Sequence, residues 1–153
     1  MKKMVGTVVL TGLLLMCSCQ PVVKNGCNFK DAQMLIEKMV AEHPEIGRLT
    51  IHAVPTGQTQ NIIVACNIRE KLGKIADPED LEVIKTKEIV VLKEGDNLDI
   101  TAPILDKNGS AIAATGITLR GLNNTNEQAL AEKAKAIAAE LSQAIQNSSK
   151  PLW

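Results

Sequence analysis

The sequence predicts an α+β fold, a five-stranded antiparallel sheet with a long N-terminal helix and a C-terminal helix. Residues 98–119 read as two strands rich in β-branched residues, joined by a tight turn at Asp106-Lys107-Asn108-Gly109. Asn-Gly favours such a turn because it accepts the positive φ values that a two-residue hairpin requires. Apolar residues recur with helical spacing over residues 28–43 and 125–146, so each of these segments should form a half-buried helix.

The composition is typical of one domain and argues against nucleic acid as a partner. A chain of 153 residues can bury a single core. Lys and Arg balance Asp and Glu at 17 each, and the aromatic residues are Phe29 and Trp153 alone. A nucleic-acid surface needs a basic face with stacking aromatics. The sequence predicts neither.

An export leader is the most specific signal in the chain. Lys2-Lys3 precedes an apolar run over residues 4–16, which is too short to span a bilayer but suits the apolar region of a signal peptide. The division that we predict is a signal peptide over residues 1–18, a tether over 19–26, one domain over 27–146 and a flexible tail over 147–153.

The end of this leader, Leu14-Leu15-Met16-Cys17-Ser18-Cys19, resembles the lipobox of bacterial lipoproteins, in which a small residue precedes the lipidated Cys. The resemblance implies a lipid on Cys19. Met16 departs from the usual Leu, and Cys17 offers a second register that lacks the small residue. An ordinary cleaved leader is the alternative. Gln20, directly after Cys19, implies by the same resemblance an outer-membrane anchor facing the periplasm.

Two further cysteines, Cys27 and Cys66, lie in the predicted domain. In an oxidising compartment they are candidates for a disulfide. Two separate buried thiols are the alternative, because geometry decides whether the two residues can be bridged.

The middle of the chain predicts more strands and a short helix. A strand over residues 49–54 places His52 on the face away from Ile51, and a second strand follows over residues 62–66. Asp77 reads as the N-cap of a helix that ends near residue 84, with Pro78 at the first helical position and Asp80 at the third. A third strand is expected over residues 86–92.

Caps are also predicted for the two long helices. Asn28 is the expected N-cap of the first helix, and Pro44 should end that helix. Thr125 and Gln128 match a capping box at the start of the last helix. His43, the last residue of the first apolar stripe, reads as a helix C-terminal residue rather than as a metal ligand.

This order of elements resembles the extracellular sensor domains of the Cache family, which have a PAS-like fold. The resemblance covers residues 27–146 and is strongest at the hairpin, over residues 103–109 and 111–114. It implies a ligand pocket between the sheet and the segment that joins the second and third strands. The candidate ligand-binding residues that it indicates are His52, Asn67, Arg69, Asp77, Asp80 and Thr115.

Several of these candidates have a structural alternative. Asp77 and Asp80 read first as helix-capping residues, Arg69 as a solvated charge beside Glu70, and His52 as a surface or hydrogen-bonded strand residue. The aromatic residues that amino-acid-binding Cache domains use are missing from this chain.

No catalytic or metal-binding motif stands out in the sequence. It contains no GxSxG, HExxH, CxxCH or Gly-rich phosphate loop, and its two histidines and scattered acids match no metal-ligand spacing. We therefore expect no enzymatic activity, no cofactor and no metal.

Two functions fit the sequence. One is a periplasm-facing lipoprotein that binds an unknown small molecule in a Cache/PAS-like pocket, without a signalling output of its own. The alternative is an envelope interaction protein with no ligand pocket, which forms a homodimer or docks to a protein partner through its terminal helices.

Overall fold

The computed structural model describes residues 29–153, apart from the side chain of residue 124. The predicted leader and tether, with Cys19, lie outside the described residues, as do Cys27 and Asn28 of the predicted domain. The described helices and strands are α1 (Lys30–Glu42), β1 (Ile46–Ala53), β2 (Ile62–Cys66), α2 (Pro78–Thr86), β3 (Val90–Glu94), β4 (Asn97–Leu105), β5 (Ala111–Arg120) and α3 (Glu127–Gln146).

The five strands form one antiparallel sheet in the order β2-β1-β5-β4-β3. This confirms the predicted fold class. The hairpin of β4 and β5 pairs from Asn97 opposite Arg120 to Leu105 opposite Ala111. It occupies the middle of the sheet because β1 pairs with the other side of β5, with Ile51 opposite Thr115. The hairpin predicted from the sequence is therefore the centre of the architecture.

The two long helices cover one face of this sheet. α1 packs on β1 and β2, and α3 packs on β4 and β5. The apolar stripes predicted for both helices are confirmed, because their side chains fill the core against the sheet. The largest fully buried side chains are Ile36, Met39, Ile46, Leu49, Ile51, Leu98, Ile100, Ile104, Ile117, Leu119, Ile137 and Leu141.

The short helix α2 lies on the opposite face, against β4 and β5. Its predicted capping box is confirmed: the Asp77 side chain accepts the backbone N–H of Asp80, and the Asp80 carboxylate accepts that of Asp77 at 2.9 Å. α2 runs two residues further than predicted and ends where Lys87 adopts a left-handed φ of 64°. The strand predicted from residue 86 is wrong at its start, since β3 begins at Val90 after this helix end.

The N-caps of the two long helices differ from the prediction. Phe29, not Asn28, occupies the N-cap position of α1, and it makes no side-chain cap hydrogen bond. Its ring is partly buried and packs against the core. At α3 the cap is Asn126, not Thr125: the Asn126 Oδ1 accepts the N–H groups of Gln128 and Ala129 at 2.9 and 3.3 Å.

The turn of the central hairpin is longer than a two-residue loop. Only Gly109 has a positive φ there, of 77°. The Asp106 carboxylate accepts the backbone N–H groups of Asn108 and Ser110, each at 2.8 Å, which closes the turn. These bonds, that of Ser110 foremost, lower the pKa of Asp106 because they favour the ionised carboxylate.

The end of the chain returns to the core. Leu152 and Trp153 pack partly against the core, and the Trp153 carbonyl accepts the Thr56 hydroxyl at 3.1 Å. The flexibility of the tail stays a prediction. Over residues 29–153, no helix combines the length and the hydropathy that a bilayer span requires.

Candidate functional site

One face of the sheet, beneath α2, carries polar side chains in place of an apolar core. One cross-strand row on this face contains Arg48, Thr118 and Asp99, and the next row contains Thr50, Gly116 and Thr101. His52 follows these rows on β1. We call these seven residues the polar face. Strand alternation explains it, because Leu49, Ile51 and Ala53 of β1 point into the core on the other side.

His52 is the most buried ionisable group of β1, with 6% of its surface exposed. Its Nε2 lies 2.7 Å from the Thr50 Oγ1, and its Nδ1 lies 2.9 Å from the Asp80 Oδ2. The second distance is that of an ion pair, although the ring direction gives Nδ1 no aligned hydrogen bond among the described residues. A bare nitrogen lone pair would repel the carboxylate, so the geometry favours a proton on Nδ1.

Asp80 therefore connects strand β1 with the N-terminal end of α2. The same Oδ2 that faces His52 accepts the Asp77 N–H and so completes the cap of α2. Val83, one turn later on α2, is fully buried, whereas Leu81 is 48% exposed. α2 is thus held on the sheet by one apolar side chain and by a buried polar contact at its N-terminal end.

A second polar cluster lies beside this contact. The Arg48 Nη2 donates to the Asp99 Oδ2 at 2.7 Å, and the Thr118 hydroxyl donates to the other oxygen of the same carboxylate. Both oxygens of Asp99 are occupied, so this acid is committed to the sheet. The hydrogen-bonded, charge-assisted contact explains how Asp99 can be largely buried.

Gly116 leaves room for the contacts around Thr50. A Cβ at position 116 would lie 2.7 Å from the Thr50 Oγ1 and 3.6 Å from the His52 Nε2. Real Cβ atoms do not approach an oxygen that closely, so any larger residue would displace the Thr50 hydroxyl. That hydroxyl accepts the Gly116 N–H at 3.1 Å, which anchors it between β1 and β5.

A cavity of about 70 Å³ lies between the polar face and the N-terminal end of α2. Water occupies about 30 Å³ per molecule in the liquid, so this space holds about two waters or a group of a few heavy atoms. The lining residues are Arg48, Thr50, His52, Ile63, Lys71, Asp77, Glu79, Asp80, Asp99, Ile100, Thr101 and Gly116.

Three of the six residues predicted to bind a ligand, His52, Asp77 and Asp80, line this cavity. Asn67 lies elsewhere and joins the first two strands, since its Oδ1 accepts the Leu49 N–H at 2.8 Å and its Nδ2 donates to the Gly47 carbonyl. Arg69 is exposed and pairs with Glu37 of α1 at 2.9 Å. Thr115 faces the core instead, between Ala113 and Ile117.

Several residues that line the cavity were not among the predicted ligand-binding residues. Arg48 lies before the predicted start of β1, and Asp99, Thr101 and Gly116 lie in the central hairpin, where they read as ordinary strand residues. Polar residues at alternate positions of a strand usually face solvent. For Asp99 and Thr101 the sequence does contain a signal, because the two polar residues occupy alternate positions of β4 and therefore share one face of the sheet.

Cys66 is one of the two cysteines predicted as candidates for a disulfide. Cys66 is buried, and burial raises the pKa of its thiol. Its pairing with Cys27, which lies outside the described residues, stays a prediction. Within residues 29–153, no three potential metal ligands of the His, Cys, Asp and Glu types converge.

Comparison with known proteins places this geometry in a known architecture. No protein-family model and no curated protein sequence matches the chain. Residues 122 to 287 of a methyl-accepting chemotaxis protein are similar in structure, with a TM-score of 0.55, 14% identity, and coverage of 76% of this chain and 87% of that one.

Two GAF domains are similar as well. The GAF domain region of a protein from Geobacter sulfurreducens PCA has a TM-score of 0.54 and 14% identity, over 78% of this chain and 93% of that one. The GAF domain of an Acinetobacter phosphoenolpyruvate-protein phosphotransferase has a TM-score of 0.50 and 10% identity, over 84% and 90%. At these identities the likeness shows the fold alone: the chain has a GAF/PAS-like fold.

Proposed function

We propose that this chain is a ligand-binding domain of the sensor type, and that the cavity beneath α2 receives a small polar ligand. The observation that supports it is the polar face itself. Burying hydroxyl, imidazole and charged groups in a sheet costs free energy unless they are satisfied. A fold whose only task is stability gains more from an apolar interface at this position. In binding sites, a few convergent polar groups fix the orientation of the ligand, and this cavity offers such groups.

The proposal includes the cellular setting and the absence of catalysis. A lipid on Cys19 would hold the domain at the periplasmic side of the outer membrane, and the Cache subtype would suit that place. In that place the domain would serve as a receptor for another envelope component. Homodimerisation stays a prediction, as does docking to a protein partner.

The binding function is tested by thermal denaturation of the full chain with a panel of small amino acids, organic acids and amines. We expect at least one compound to raise the Tm of the wild type by several degrees, because a ligand that binds only the folded state stabilises it. In the variant Gly116→Ala the gain should fall to near zero, since the added methyl displaces the Thr50 hydroxyl at the cavity wall.

The matched control is Gly47→Ala, also in the sheet, where the nearest atom to a new Cβ is the Arg120 Nε at 3.3 Å. That side chain can move aside, and Gly47 does not line the cavity. This variant should keep the wild-type response. If no compound stabilises the wild type, or if Gly116→Ala responds as the wild type does, the proposal is wrong.

The anchor has a separate test. Mass spectrometry of the membrane fraction should find a lipidated N-terminal peptide that begins at Cys19. The variant Cys19→Ser should release the protein into the soluble fraction, and Cys17→Ser should leave it in the membrane. The opposite pattern would assign the lipid to Cys17, and a soluble wild-type protein would exclude the anchor.

A further inference from the structure

A groove lies at the edge of the sheet, between α3 and the last residues of β4. Its walls are side chains from residues 102–105 of β4, from residues 135–146 of α3, and from Lys87 and Ile89. We call it the α3–β4 groove. It measures about 520 Å³, which is within the usual range for sites that bind small molecules. It shares no lining residue with the cavity beneath α2.

The groove exists because β3 is shorter than β4. β3 begins at Val90, opposite Thr101. Within residues 29–153, no strand continues this pairing along the outer edge of β4 beyond Thr101. α3 packs across β4, so the helix and the uncovered strand edge form the two sides of the groove.

An added β-strand does not suit this groove. Pro103 has no N–H to offer to a new strand. The Leu105 N–H donates to the Ser142 Oγ at 3.1 Å, and the Leu105 carbonyl accepts the Gln146 Nε2 at 2.9 Å. Side chains of α3 therefore already use the backbone groups that a partner strand would need. The groove is better suited to a ligand that is held by its apolar surface and its charge.

Most of the wall of the groove is apolar. Pro103 and Leu105 contribute to it from β4, and Ala138 and Ala139 contribute from α3. The Ile89 side chain, which is 41% exposed, lies at the side of the groove. An apolar chain bound along this wall would remove these surfaces from water, which is favourable.

The charge in the groove has one sign. Among the described residues that line it, the charged ones are Lys87 and Lys135, and none is Asp or Glu. An ionised acid bound there would be attracted by both ammonium groups, because opposite charges stabilise each other. A bound cation would be repelled by the same two groups.

Both lysines have contacts that a ligand can share or replace. The Lys87 Nζ donates to the Gly109 carbonyl at 2.8 Å, which uses one of its three N–H groups. The Lys135 Nζ lies 2.8 Å from the Glu132 Oε1, but these two side chains are 41% and 65% exposed. Exposed ion pairs contribute little to stability. Each ammonium group therefore has donors for a ligand in the groove.

Asp106 does not take the place of such a ligand. Its pKa is lowered first by the N–H of Ser110, and the charge of Lys87 contributes less. The Asp106 carboxylate accepts the N–H groups of Asn108 and Ser110 within the hairpin turn, and it does not line the groove.

We propose that the α3–β4 groove binds an aliphatic carboxylate, with the apolar chain along the wall and the carboxylate between Lys87 and Lys135. The two oxygens of a carboxylate can accept hydrogen bonds from two ammonium groups. An inorganic anion would leave the apolar wall uncovered, and a neutral chain would leave both charges unmatched. This site does not depend on the function proposed for the cavity beneath α2.

The test is NMR titration of the full chain with sodium hexanoate, at an ionic strength held constant with sodium chloride. Hexanoate should saturably shift the amide signals of Ile89, Ala139 and Gln143. Acetate has the charge and almost no chain, and hexanol has the chain and no charge. Each of these two compounds should bind about 10-fold more weakly than hexanoate, or weaker still.

Removing both cations tests the role of charge. The double variant Lys87→Gln/Lys135→Gln should weaken hexanoate binding by about 10-fold, because two charge-assisted hydrogen bonds are lost. The matched control is Lys85→Gln/Lys133→Gln, which changes the net charge by the same amount. Its two lysines are 77% and 53% exposed and do not line the groove. This control should bind hexanoate as the wild type does.

A charge placed on the wall tests the location. Ala139→Glu puts a carboxylate into the groove and should abolish measurable hexanoate binding, because it competes for the lysines and repels the ligand. Ala136→Glu adds the same charge at an exposed position of α3 that does not line the groove, and it should keep the wild-type affinity. Both positions are exposed, so both variants should fold.

The remaining outcomes separate this site from the cavity beneath α2. Equal affinities for hexanoate and hexanol, or equal weakening in the two double variants, would overturn the carboxylate proposal. Shifts at Thr101 and Gly116 rather than at Ile89 would place hexanoate in the cavity, which overturns the groove as its site and supports the binding function proposed above. If hexanoate causes no saturable shift, the groove proposal is wrong and the test of the cavity is unaffected.

Discussion

Replacing Asp80 by alanine is expected to lower the free energy of unfolding by about 4 kcal/mol. The change leaves the His52 imidazole buried without its carboxylate and also removes the acceptor of the Asp77 N–H. Breaking one partner of a buried pair is costly because the other group loses both water and its counter-charge. Urea denaturation followed by circular dichroism measures the loss.

Asp80→Asn separates the two roles of this residue. The amide oxygen can still accept the Asp77 N–H, but the negative charge beside His52 is gone. We expect a smaller loss, about 2 kcal/mol, from this variant. If Asp80→Ala costs less than about 1 kcal/mol, the contact with His52 behaves like a surface pair and does not hold α2 on the sheet.

The second large effect concerns the opposite face. Leu141→Ala in α3 is expected to destabilise the domain by about 3 kcal/mol, since the Leu141 side chain is fully buried between α3 and the sheet. The lost methyl groups leave a cavity that the paired strands beneath cannot fill. The free energy of unfolding from urea denaturation gives the magnitude.

Met34→Ala is the matched control for this truncation. Met34 lies on α1, the other helix of that face, and is 56% exposed. Its loss should stay within about 0.5 kcal/mol, as for most exposed positions. An equal loss for the two variants would mean that α3 is not packed on the sheet as described.

Hydrophobic periodicity was enough to predict the layers of the fold. The stripes of α1 and α3 follow the helical repeat, and the alternation of β1 places Ile51 and His52 on opposite faces, as observed. The exact caps could not be obtained in this way. At α3, neighbouring Thr125 and Asn126 are both good caps, so only the path of the backbone selects one.

Only part of the candidate site could be predicted, because the sequence shows local patterns and not contacts between distant residues. Asp77 and Asp80 could be located because a capping box is a local pattern, and His52 because strand alternation is local as well. Their partners come from strands far apart in the sequence. Arg48 meets Asp99 across 51 residues, and Thr115 turned out to share the core with Ile51.

By itself, the sequence determined most of the helices and strands, the buried stripes of the two long helices, the alternation of β1 and the capping of α2, because these depend on residues within one or two turns of one another. Only the tertiary structure decided that the polar face would lie beneath α2 rather than in open water. That decision turns a row of polar strand residues into the wall of a partly open, acidic cavity, since strand order and the crossing of a helix bring together groups that no local pattern connects.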